Sequence, residues 1–310
     1  MSAKKVHIIF NPASAGGRTW KRRKLILKEI RKCWNDFIIE YTGKPGDAVS
    51  KTRHAVASGR DLIVAVGGDG TIREVVNGFY NEGKMINPGC TFAVINSGTG
   101  QGFAQSLGLP KRIKDQFKVI LDGNVEKTDI GRITSASGAC SYFANEFQSG
   151  IGGQVVKSVS HFHKKFTRRF AFGFGVLKVI GSYNPSPYTL RLNDNLDIYE
   201  ELTGIVISNG KYTGGGMKLN PGAELNDGYL DILLIPGLTF KEMLLVFPKI
   251  YSGRHLKDKR FKCFKVKSIT IDSSKSVISE ADGEIINGLP LHIDIVPSSL
   301  NVIRPERKES

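Results

Sequence analysis

The chain has 310 residues, of which 40% are apolar and 24% charged; this composition fits about two globular domains and excludes a disordered, collagen-like or multi-spanning chain. Lys and Arg number 44 against 29 Asp and Glu, a formal charge of +15, which favours anionic partners and says nothing about fold. Cys33, Cys90, Cys140 and Cys263 form no CxxC pair and have no His at ligand spacing, so the pattern reads as reduced thiols in a cytoplasmic protein, with no zinc or disulfide framework. The first lysines precede only a short apolar run before Asn11 and Pro12, unlike a signal peptide, and no stretch is apolar enough to span a bilayer.

In chain order, residues 6–10 read as a strand, followed by a Gly/Ser turn and a basic helix over 18–33. A second strand at 37–41 precedes a helix that begins near Asp47 and ends before Gly59. A wholly apolar third strand at 62–66 leads through glycines to a helix from about Thr71. A fourth strand at 91–95 ends in another Gly-rich turn. Apolar strands alternating with helices predict an open parallel sheet covered on both faces. From about Gly131 the pattern changes to short β-rich segments at 141–147, 188–192, 203–208, 229–235, 268–271 and 291–296, joined by Gly, Asn, Asp and Pro turns. These predict a mostly antiparallel β-sandwich or barrel, interrupted by a helical insertion over about 161–181. The domain expectation is 1–131 for the α/β half and 132–297 for the β-rich half.

Three Gly-rich turns follow strands one, three and four: NPASAGG at 11–17, GGDGT at 67–71 and SGTGQG at 97–102. Glycines let the backbone approach a ligand, and amides opening the next helix point at an anion. On such a sheet all three turns lie at the carboxyl ends of the strands, where ligands bind. Neither a P-loop nor a Rossmann GxGxxG opens the first helix. Asp69 stands among amides suited to phosphate, so it needs a counter-cation; Mg²⁺ carried by a nucleoside triphosphate supplies one.

Six motifs then follow in a recognisable order: NPASAGG, GGDGT, GTGQGFAQSLGLP at 98–110, TDIGRI at 128–133, NPGAELNDGYLDILLI at 220–235 and ADGE at 281–284. Together they resemble the diacylglycerol kinase catalytic domain family, which includes sphingosine and ceramide kinases, and most of all its soluble bacterial members. The resemblance implies a phosphofructokinase- and NAD-kinase-like α/β domain followed by a β-sandwich, with the last residues, about 298–310, returning to the first domain. It implies ATP-binding roles for Asn11, Pro12, Ala13, Ser14, Ala15, Thr42, Gly68, Asp69, Gly70, Thr71, Glu74 and Thr99. Asp69 and Asp129 match acids that organise the Mg²⁺–ATP centre, and Glu284 matches the general base. Asp227, with the carbonyls of Glu224 and Tyr229, matches a structural Mg²⁺ site. An NAD kinase is disfavoured because the 220–235 and 281–284 motifs belong to the lipid kinases.

Two departures stand out. Bacterial relatives read GTxNDFA at the third turn, whereas this chain has Gln101 and Gly102 in place of Asn and Asp. A usual Phe-Asp pair after Gly150 reads Gly153-Gln154. These keep two other readings in view: a kinase of sphingoid bases or ceramide, and a nucleotide-binding, membrane-associated regulator without catalysis. Phe162, Phe166, Phe170 and Phe174 recur at helical spacing opposite Lys164, Lys165, Arg168 and Arg169, and a basic run with Phe261 and Phe264 interleaved covers 254–267. Basic amphipathic segments of this kind suit an anionic membrane surface; the same helix stripe suits packing on the β domain. No nucleic-acid-binding signature accompanies the charge. The expected partners are thus ATP, a lipid acceptor and an anionic membrane surface, with a homodimer possible and the protein placed in the cytoplasm.

Overall fold

The computed structural model describes residues 5–98, 100–162, 179 and 181–306. In the first half, β1 (Val6–Phe10) is followed by α1 (Arg18–Lys21), α2 (Arg23–Cys33), β2 (Phe37–Tyr41), α3 (Asp47–Ala57), β3 (Leu62–Gly67) and α4 (Asp69–Gly78). A short hairpin, β4 (Tyr80–Asn81) and β5 (Lys84–Met85), leads to β6 (Thr91–Asn96), α5 (Gly102–Ser106) and α6 (Ile113–Asp122). The parallel strands lie in the order β2-β1-β3-β6. β1 and β3 are buried at every position, as strands covered on both faces must be. Ile8, Val64, Ile26 and Phe117 pack on the α2/α6 face; Ile9, Ile63, Ile72 and Val75 pack on the α3/α4 face.

The second half contains β7 (Val125–Ser135), β8 (Cys140–Phe143), β9 (Glu146–Gly150), α7 (Ile151–Phe162), β10 (Ser186–Leu192), β11 (Leu196–Ser208) and β12 (Leu230–Pro236). A seven-residue helix, Phe240–Val246, then precedes β13 (Lys262–Val266), β14 (Ser268–Asp272), β15 (Ser279–Ala281), β16 (Glu284–Ile286) and β17 (Leu291–Ile303). Pairings within this half are antiparallel, around a core that includes Phe143, Phe147, Leu190, Ile205 and Ile232. The architecture is therefore a parallel α/β layer continued into an antiparallel β-sandwich-like half. β17 joins them. It pairs with β7, shifts register between Val296 and Leu300, and then pairs Asn301 and Val302 in parallel with Thr91 and Phe92 of β6.

Several elements differ from the sequence expectations. The helix over 18–33 is interrupted at Arg22, which separates α1 from α2. α4 begins at Asp69, two residues before Thr71, which puts that carboxylate in its first turn. β7 starts at Val125, well before the composition changes at Gly131. The segment 141–147 is two strands, because the Asp282 carboxylate takes the Ala144, Asn145 and Glu146 amides at 2.7, 3.0 and 2.9 Å and leaves Ala144 and Asn145 outside the ladder, which resumes at Glu146. The helix expected over 161–181 begins at Ile151; residues 163–178 and 180, including Phe166, Phe170 and Phe174, lie outside the described residues. Among the described residues no helix is long and apolar enough to cross a membrane.

Candidate active site

Because β1, β3 and β6 are parallel neighbours, the turns after them meet at one edge of the sheet. Asn11 anchors the first turn: its amide donates to Val66 O at 2.9 Å, Nδ2 donates to Thr71 Oγ1 at 2.8 Å, and Oδ1 accepts from Ala13 and Ser14 at 3.0 and 3.2 Å. Second and third turns touch through bare backbone, since a Cβ on Gly98 would lie 2.5 Å from Gly68 Cα. Ser14 Oγ lies 3.3 Å from where a Gly68 Cβ would be, so all three turns converge. Ala15 turns the chain with φ 56°, and the buried Thr42 is held by its amide on Phe10 O at 3.0 Å. Thr99 lies outside the described residues. Glu74 faces elsewhere: its carboxylate accepts from the Gly46 and Ala48 amides at 3.0 and 3.1 Å and caps α3.

Asp69 sits opposite the start of α5. Burial raises its pKa, opposed by the amides of Phe103, Gln101 and Gly102. Its Oδ1 is buried without a hydrogen-bond partner, a costly state unless a cation or donor arrives. The third turn is glycine-dependent here: a Cβ on Gly100 would collide with Asp69 Oδ2, and one on Gly102 would lie 2.9 Å from Asn145 Nδ2 and 3.0 Å from Tyr212 O. An Asp at 102 has no room in this arrangement.

The ADGE motif is the turn of the β15–β16 hairpin. Ala281 pairs with Glu284, and Asp282 and Gly283 both take positive φ, 45° and 88°, as a two-residue hairpin loop requires. This turn delivers Glu284 beside the second Gly-rich turn, with Oε1 3.0 Å from the position of a Cβ on Gly70. Partial burial raises the Glu284 pKa, with Arg73 opposing and Glu74 adding.

The structure gathers further groups that the sequence reading did not single out. Glu146 and Glu280 are 7% and 1% exposed. Burial holds Glu146 well above the carboxylate range, reinforced by Glu280; burial pushes Glu280 up to about 8 and Asp282 up to about 6. Arg73, one helical turn after Asp69, is the basic group that opposes these shifts at Glu280, Asp282 and Glu284. The Asp69-to-Arg73 spacing on α4 was a readable signal; the meeting of β9 with β15 was not.

Asp69, Glu146, Glu280 and Asp282 close one end of a cavity of about 300 Å³. The rest of its wall is mainly apolar, including Ile151, Val155, Leu233, Met243 and Phe261. Gly153 lets α7 lie against the segment that enters β15, since a Cβ there would strike the Ile278 carbonyl.

The remaining expected residues lie in a different arrangement. Asp129 is 1% exposed, and both its oxygens are taken by backbone: Oδ2 by Gly228 at 2.7 Å and Oδ1 by Ser298 at 2.6 Å. It braces the 224–229 loop against the register shift of β17. Asp227 Oδ1 accepts from Tyr229 at 3.0 Å, and Oδ2 receives the Lys265 ammonium at 2.6 Å. In this arrangement Lys265 supplies the positive charge at Asp227, while Asp231 Oδ2, 4.0 Å from the same ammonium, has no hydrogen-bond partner. At Asp69 the orphaned oxygen fits a cation. Among the described residues no group of His, Cys, Asp or Glu is set to hold a metal by itself, so that cation would draw its other ligands from phosphates.

Comparison with known proteins agrees with this geometry. Residues 5–133 match the diacylglycerol kinase catalytic domain, and residues 145–304 match the YegS C-terminal NAD kinase β-sandwich-like domain. A protein named diacylglycerol kinase from Staphylococcus epidermidis strain RP62A is 29% identical over 306 residues, covering 98% of this chain and 93% of its own. A Bacillus subtilis strain 168 protein of the same name is 26% identical over 306 residues, covering 98% of each. A crystal structure of a diacylglycerol kinase from Bacillus anthracis strain Sterne superposes with a TM-score of 0.73 at 23% identity, covering 98% of both chains, and shows the shared fold. The chain belongs to the diacylglycerol kinase family, with its catalytic and YegS-type β-sandwich domains, and is a kinase of the class that phosphorylates an alcohol group.

Proposed function

We propose that this protein transfers the γ-phosphoryl group of ATP to the hydroxyl of diacylglycerol or a related lipid. The observation that carries the reading is that the second Gly-rich turn meets Glu284 at Gly70 while its Asp69, with Glu146, Glu280 and Asp282, lines a largely apolar cavity. Phosphoryl transfer is chiefly positioning and charge neutralisation. Residues 11–15, Thr42, the 68–71 turn and Thr99 would hold the nucleotide, and Gly68 and Gly98 let its phosphates approach the backbone. Mg²⁺ bound with ATP would neutralise phosphate charge beside Asp69. Glu284 would hydrogen-bond the acceptor hydroxyl and take its proton as the hydroxyl oxygen bonds the γ-phosphorus and the bond from that phosphorus to the β,γ-bridging oxygen breaks, with ADP as the leaving group. The apolar wall holds acyl chains and excludes water. The protein would work in the cytoplasm at a membrane.

Glu146 and Glu280 favour a second acceptor class, long-chain amino alcohols, because an ammonium head would satisfy two carboxyl groups that the fold keeps away from water. A radioactive phosphate-transfer screen with Mg·ATP over diacylglycerol, ceramide and a sphingoid base separates the readings. Transfer to a lipid supports the kinase reading and names the acceptor. ATP binding without transfer to any lipid would overturn it in favour of a nucleotide-binding regulator.

A further inference from the structure

Residues 240–259 form an unusual stretch of surface. On the helix Phe240–Val246, Met243 and Val246 face inward and line the apolar cavity. Its other side is exposed: Phe240 47%, Leu244 39% and Leu245 66%, with Tyr251 nearby at 42%. Single exposed apolar residues are ordinary, but several together mark a contact surface. The charges around them have one sign. Lys241, Lys249, Arg254, Lys257 and Lys259 are exposed and make no ion pair among the described residues, while the acids of the stretch, Glu242 and Asp258, are both paired to Arg260 at 2.6 and 2.8 Å. A protein partner of mixed charge would leave these cations unmatched, whereas an anionic lipid surface matches all of them and also receives apolar side chains.

We propose that residues 240–259, led by the outer face of the Phe240–Val246 helix, are the surface on which this protein settles on an anionic bilayer, with the apolar cavity directly behind that helix. The inference deepens the lipid-kinase reading by saying where the acceptor is collected. It also revises which part of the basic run 254–267 meets lipid. Phe261 is buried against the cavity, and Lys262 and Lys265 are tied to Glu200 and Asp227 at 2.8 and 2.6 Å, so the lipid-facing cations lie earlier in the chain.

Co-sedimentation without nucleotide tests this, using vesicles of phosphatidylcholine alone and of phosphatidylcholine with phosphatidylglycerol. Wild type should bind the anionic vesicles and lose affinity as salt rises. Leu244→Gln with Leu245→Gln should weaken binding by about 10–100-fold. Lys241→Glu with Lys249→Glu should weaken it by about fivefold per unit of charge changed, on anionic vesicles only. Both pairs replace exposed side chains, so the melting temperature should hold. If transfer activity is present, it should fall on vesicle-embedded acceptor and persist on a short-chain acceptor dissolved as monomers. Wild-type failure to bind anionic vesicles, unchanged binding by both variants, or displacement of the vesicles by RNA at equal charge would overturn the assignment. A failed phosphate-transfer screen would remove the kinase reading and leave the vesicle result readable.

Discussion

Glu280 is held where its charge is penalised, and replacing it tests that penalty directly. The side chain is 1% exposed, accepts one amide, Gly283 at 2.8 Å, and is pushed up to about 8 by burial, with Asp282 and Asp69 adding and Arg73 opposing. An ordinary Glu titrates near 4.5. Between those values the folded protein keeps a proton that the unfolded chain has released. Stability is therefore full below the lower value and declines as pH rises toward the upper one. The slope for one proton is about 1.4 kcal/mol per pH unit, so about 2 kcal/mol is lost between about pH 6.5 and pH 8. Glu146, raised by burial and by Glu280 itself, acts in the same direction. Buried His7 and His255, whose pKa values are lowered, act oppositely, but mainly below about pH 7. Glu280→Gln keeps an oxygen for the Gly283 amide and removes the charge. In urea unfolding at the two pH values, the stability gap between variant and wild type should widen by about 2 kcal/mol in the variant's favour toward pH 8. Parallel pH dependences, or a variant that loses ground at pH 8, would refute the reasoning.

Three further outcomes follow from the site. Glu284→Gln should lower kcat by about 10²–10⁴-fold with calorimetric Mg·ATP affinity nearly unchanged; unaltered turnover would remove Glu284 from proton transfer. Gly98→Ala places a methyl 2.5 Å from Gly68 Cα, so the turns must separate at a cost of about 1–3 kcal/mol, read as a lower melting temperature and weaker ATP binding. Because Lys265 already neutralises Asp227, EDTA should leave the nucleotide-free wild type's melting temperature in place, whereas Lys265→Met should lower it by about 2–4 °C; a wild type that melts several degrees earlier in EDTA would show a resident metal in the loop.

The parallel half was legible because each of its strands is a local signal. β3 is apolar throughout and β1 is apolar except for His7, and a Gly-rich turn follows each, so period and punctuation agree. The Gly-rich turns were legible for the same reason, and the hairpin geometry of Asp282 and Gly283 follows from residue type. What sequence could not supply were pairings between distant segments. The break at Ala144 and Asn145 depends on a carboxylate 138 positions away. Glu146 and Glu280 read as ordinary polar residues until β9 pairs with β15. Asp227 carries a metal-site motif, yet the β12–β13 register sets Lys265 directly across from Asp231 and 2.6 Å from Asp227, a neighbour that the motif alone does not announce.

β17 carries a consequence for biosynthesis. Among the described residues the outer edge of β6 receives its partner from Asn301 and Val302, which leave the ribosome about two hundred residues after β6 itself. Until then the nucleotide half carries an uncapped strand edge, open to pairing with other chains. Chains cut short before residue 301 should thus aggregate through their amino-terminal half, although every residue of its four parallel strands is present.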